Sequence, residues 1–151
     1  MNDKKNDTKL YNVIFPLWVI LMIPQAWLIV LPGNFIIDSI VLIISIIALK
    51  ISGKMRFYIR HIFIVFGFGL LADIVGSAYM LIMTFAFHIS VYGDEPYMTI
   101  PALLISAGMI FLLNYFVTFK KQEKSLKFKL SLIFAIATAP YTFLVPTSWL
   151  Y

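Results

Sequence analysis

Cysteine is absent from the 151-residue chain, which removes disulfides, thiolate nucleophiles and Cys-based zinc sites in one step. Charge is scarce too: Asp, Glu, Lys and Arg together make up 13% of the residues, and histidine occurs only twice, at His61 and His88. No H-E-x-x-H, G-x-S-x-G, phosphate-loop or metal-ligand spacing is present. The expectation is therefore a protein without a cofactor or bound metal, and more readily a non-enzyme than an enzyme. Long polar linkers are missing as well, so residues 1–151 read as a single domain.

What is present is apolar. Hydrophobic residues account for 62% of the chain and aromatic ones for 17%, against about 45–50% apolar in a soluble domain. A soluble core of this length cannot hide that surface, whereas bilayer hydrocarbon can, because about 20 mostly apolar residues suffice for one crossing. The fold class expected is an all-α integral membrane protein, a bundle of five transmembrane helices with short loops. The runs place the spans at residues 10–31, 34–51, 60–87, 98–119 and 130–149. The first run follows a basic N-terminus, yet it is about 22 residues long, carries Pro16 and Pro24 and lacks a small-residue cleavage site. It is expected to stay as a span, not to be removed as a signal.

The net charge of +5 does not point to nucleic acid, because the positions of the charges carry more information than their sum. With the N-terminus in the cytoplasm, five crossings put all twelve basic residues on the cytoplasmic side, as the positive-inside rule requires. Lys4, Lys5 and Lys9 lead, Lys50, Lys54, Arg56 and Arg60 follow, and the stretch KKQEKSLKFK supplies the rest. The outer side receives Asp94 and Glu95, and the C-terminus lies outside. The partner implied is the lipid bilayer, with a bacterial plasma membrane as the expected location. KKQEKSLKFK also suits loose contact with anionic head groups.

Inside the spans the punctuation is uneven. Pro32, Gly33 and Asn34 predict a tight outer turn between the first two spans. Pro24 and Pro140 fall within spans, and Pro140 removes the hydrogen bond to the Ile136 carbonyl, which predicts a kink there. Pro101 is expected in the first turn of the fourth span behind a Thr99 cap.

The polar residues form a layer. At 1.5 Å per residue, Asp73 lies about 20 Å from the cytoplasmic end of its helix, near the midplane. Ser45, Ser106, Thr138, Tyr141 and Thr142 fall within about a turn of that level. Gly69, Ala72, Asp73, Gly76 and Ser77 share one stripe, and Ala72 with Gly76 forms a small-xxx-small pair that admits another backbone. Asp73 is thus expected to face protein. An ionised carboxylate at that depth costs at least ~2.5–3.5 kcal/mol. The cheap state is a neutral acid that donates to a hydroxyl or to the carbonyl freed by Pro140. Asp38 is expected nearer the outer face, paired with Gln25 and about 10 Å from the level of Asp73.

Three functions compete on this sequence. The first is an accessory or assembly subunit that uses the small-residue stripe to bind a membrane protein partner or a second copy of itself. The second is a small oligomeric proton- or cation-linked carrier or channel in which Asp73 and the hydroxyl layer hold the cargo. The third is an intramembrane enzyme with paired acids, disfavoured by the estimated separation of Asp38 and Asp73.

Overall fold

The computed structural model describes Gln25, residues 27–87 and residues 96–144. Helices and the short turns between them account for these residues, with no strand among them. Helix α1 spans Trp27–Ala48, α2 Lys54–Phe87, α3 Pro96–Leu113 and α4 Lys124–Ala137. A π-helical turn, Asn114–Thr118, continues α3, and a 3-10 turn, Tyr141–Leu144, follows α4. Helix α2 packs against α1 and α3, α3 packs against α4 and the 3-10 turn, and α4 closes back on α1.

Among the described residues three helices are long and apolar enough to cross a membrane: Trp27–Ala48, Lys54–Ala86 and Pro96–Thr118. At 1.5 Å per residue the 22 residues of α1 reach about 33 Å, enough for a hydrocarbon core of about 30 Å, and the 34 residues of α2 overshoot it. The outer faces fit that solvent. Ile36, Ile37, Ile40, Ile43, Ile44 and Ile47 of α1 are all exposed, an arrangement that water penalises and lipid does not.

The structure corrects several element boundaries. The turn expected at Pro32-Gly33-Asn34 does not form, because α1 runs straight through Pro32. In hydrocarbon an unsatisfied backbone group costs several kcal/mol, so a helix that forfeits one bond at Pro32 is cheaper than a turn that exposes several. Gln25 precedes α1, and residues 10–24 lie outside the described residues. Helix α2 begins six residues before the predicted 60, and α3 begins at Pro96, which puts Pro101 inside the helix instead of at its first turn. Of the predicted span 130–149, residues 130–137 fall in α4, only 14 residues long from Lys124, and residues 141–144 in the 3-10 turn, while residues 145–149 lie outside the described residues. Pro140 breaks this helix where a kink was expected, since proline both removes a donor and disfavours the α conformation of the residue before it.

The α1–α2 connection is a Schellman motif. Ile51 N donates to Ile46 O at 3.0 Å and Lys50 N to Ile47 O at 3.2 Å, with Lys50 in the left-handed region at φ 50°, where glycine is usual. This tight turn brings Lys50, Lys54 and Arg56 to one end of the bundle. The chain returns to that same end after the π-turn, where Arg60, Lys120 and Lys121 line one pocket. A core of Leu42, Ile46, Ile62, Val65, Ile110, Phe119 and Phe134 packs between the helices.

Candidate functional site

Helices α1 and α2 cross face to face through a polar rung. Asn34 Nδ2 donates to Asp73 Oδ2 at 3.0 Å. One turn along α1 from Asn34 is Asp38, and one turn back along α2 from Asp73 is Gly69, a spacing of four that keeps each pair on one helix face. A methyl group built on Gly69 would stand 3.4 Å from Asp38 Oδ2, so the aspartate lies over the bare backbone of the glycine. Asp38 is 3% exposed, and Asp73 is half-buried.

Both acids line one cleft of about 400 Å³, together with Asn34, Gly69 and residues 137–142 at the end of α4. The break at Pro140 shapes that wall. Thr138 caps α4, its N–H and hydroxyl both donating to Phe134 O at 2.9 Å. The Ile136 carbonyl, which loses its amide partner to Pro140, accepts the Tyr141 hydroxyl. Tyr141, not Asp73, therefore takes the carbonyl that the proline frees, and Asp73 accepts from Asn34 where it was expected to donate to a hydroxyl.

The predicted polar layer divides. Asp73, Thr138, Tyr141 and Thr142 come together in the cleft. Ser106 leaves it and donates to Ala72 O at 2.9 Å. Ser45 bonds its own helix at Val41 O, 2.7 Å away. Ser77 is 2% exposed, and its Oγ has no hydrogen-bond partner, which costs about 1–3 kcal/mol for a buried group. Asp38 and Gln25 do not share a level: Gln25 is exposed ahead of α1, while Asp38 is buried at its middle. With the outer turn gone, Asp38 moves inward to the level of Asp73.

The small-residue stripe is where α2 receives its neighbours. Ala72 is fully buried beneath Ser106. A methyl on Gly76 would fall 2.2 Å from Ser106 Oγ and 2.6 Å from Phe143 Cε2, so only glycine lets α3 and the 3-10 turn approach this closely.

Sequence reasoning missed Asn34, assigning it to a turn. Its signal was the i, i+4 spacing to Asp38, visible once the helix is read through Pro32. Among the described residues, no third His, Cys, Asp or Glu joins the acids to make a metal cluster, and no Lys, Arg or His lines the cleft. Two carboxyls and the carbonyl end of α4, negative by its dipole, thus share the cleft. No family model, curated protein or solved structure matches the chain, so its chemistry is read from these residues alone.

Proposed function

We propose that this chain is a small oligomeric carrier that holds an organic cation in the cleft between α1, α2 and the end of α4. The observation that carries this reading is the convergence of Asp38 and Asp73 on one cleft that, among the described residues, no basic side chain lines. A buried carboxyl without a cationic side chain needs an external one or a proton. The cleft's 400 Å³ lies in the small-molecule range of about 300–1,000 Å³, far above the needs of a bare ion. Val30, Ile37 and Pro140 in its wall suit the apolar body of an ammonium compound. The break at Pro140 is the kind of discontinuous helix that lines transporter sites.

Asp73 and Asp38 act as alternating counter-ions to the cation or to a proton, with Asn34 orienting Asp73. The chain enters the membrane with its N-terminus in the cytoplasm, makes five crossings, ends outside and resides in a bacterial plasma membrane. One copy is small for a pathway, so two or more assemble. The assembly-subunit reading leaves both acids without a task. Convergence answers the depth objection to a paired-acid hydrolase. Among the described residues, however, Asp73 is bonded to Asn34 and not to Asp38, which gives a shared-proton dyad no support.

Ethidium uptake into proteoliposomes tests the carrier. Wild type should accumulate the dye faster than empty vesicles, Asp38→Asn and Asp73→Asn should each slow it, and the double variant should match the empty control. Equal rates in all four preparations would remove the acids from any transport role.

A further inference from the structure

A second pocket of about 240 Å³ opens at the basic end, far along α2 from the acidic cleft, and Arg60, His61, Thr118, Lys120 and Lys121 line it. That volume equals about eight waters, room for one tetrahedral anion but not for a whole lipid. Arg60, Lys120 and Lys121 are exposed, and among the described residues no acid lines the pocket. Cation placement at a helix end has an ordinary explanation in membrane topology; the buried floor of this pocket does not. Thr118 is 6% exposed and its Oγ has no hydrogen-bond partner. It stands at the end of the π-turn, where Phe119 N reaches back five residues to Asn114 O at 2.9 Å. Such π-turns are uncommon and cluster at functional sites. His61, 6% exposed, uses Nδ1 on Phe57 O at 2.7 Å, and the rings of Phe57 and Phe119 hold it 4.2 and 5.5 Å away, centroid to centroid.

We propose that this pocket binds a phosphate group, with Arg60, Lys120 and Lys121 supplying charge and the Thr118 hydroxyl, closed off within the wall, turning into the pocket to donate a hydrogen bond. Guanidinium and ammonium donors with a hydroxyl are the usual phosphate-binding set, and basic pockets between membrane helices take anionic head groups. The phosphate comes either from an anionic lipid of the same leaflet or from solution.

Native mass spectrometry of the full chain, released from nanodiscs of phosphatidylcholine with or without phosphatidylglycerol, tests the site. The pocket triple variant Arg60→Gln, Lys120→Gln, Lys121→Gln should lose phosphatidylglycerol about tenfold more than the control triple Lys54→Gln, Lys124→Gln, Lys129→Gln, since a direct charge-assisted contact is worth about twelve-fold or more against about five-fold for a cation merely near the surface. Thr118→Val keeps every charge and should weaken retention by about three-fold or more. Millimolar inorganic phosphate that displaces the lipid in wild type, but has no effect on the pocket triple, identifies the soluble source. Failure to displace it identifies the lipid. Equal losses in both triples, or full retention in Thr118→Val, would overturn the proposal in favour of diffuse attraction.

Discussion

Asn34 and Asp73 are 39 residues apart in sequence and joined by a 3.0 Å hydrogen bond from Nδ2 to Oδ2. That bond spans the α1–α2 interface at the point where both helices carry an acid into the same cleft. It sets the orientation of one carboxyl while Asp38, seated over Gly69, is positioned by packing.

Asn34→Ala should therefore act on the cleft more than on the fold. An interhelical polar bond in a membrane contributes only ~0.6–2 kcal/mol to helix association, whereas an Asp73 no longer oriented by Asn34 should lower the affinity for ethidium several-fold. Ser39→Ala removes the partner of the Tyr58 hydroxyl, 3.0 Å away and outside the cleft, and should leave that affinity unchanged. Fluorescence titration in detergent compares the two.

The close approach at Gly76 predicts a steep penalty. Gly76→Ala puts a methyl group 2.2 Å from Ser106 Oγ and 2.6 Å from Phe143 Cε2, an overpacking that costs about 1–3 kcal/mol. Gly69→Ala meets only Asp38 Oδ2 at 3.4 Å, an ordinary contact. Thermal unfolding in detergent should show a lowered midpoint for the first variant and none for the second. Ser106→Ala should restore little to Gly76→Ala, because Phe143 still obstructs the methyl group.

Tyr141 and Pro140 form a testable pair. Tyr141→Phe strips the hydroxyl from the Ile136 carbonyl and should destabilise by about 1 kcal/mol. In a Pro140→Ala background the amide of residue 140 can reach Ile136 O, so the hydroxyl becomes redundant and the same change should cost almost nothing. A double-mutant cycle measures the coupling, and an additive result would show that Tyr141 does not serve that carbonyl.

Because the chain has no cysteine, topology can be mapped with single introduced thiols. Ser52→Cys in the α1–α2 turn and Gln122→Cys before α4 should react with an impermeant maleimide only from the cytoplasmic face, and Asp94→Cys only from outside. Labelling of Ser52→Cys and Asp94→Cys from the same face would contradict the threading inferred from the basic groups.

Ser77 offers a cleaner statement about burial. Its Oγ is buried and unpartnered, so Ser77→Ala removes a desolvated hydroxyl and should raise the unfolding midpoint, by the equivalent of up to about 1 kcal/mol. A lowered midpoint would mean that the hydroxyl has a partner in the membrane.

The sequence alone determined that the chain is helical and apolar enough for a bilayer, and that Ala72 and Gly76 mark a face of α2 built for close approach. These follow from composition, run length and the 3.6-residue period, which are local quantities. It also determined that Pro140 would disturb its helix, because a missing N–H is missing in any fold. Only the tertiary structure decided that the disturbance is a break capped by Thr138, that α1 continues through Pro32, and that Asp38 consequently stands beside Asp73 with Asn34 between the helices. Whether proline and glycine turn the chain or ride within a helix depends on how many backbone bonds the surroundings leave unsatisfied, and which polar groups meet depends on rotation about the helix axis. Both are set by the packing of one helix on another, and a one-dimensional pattern does not contain them.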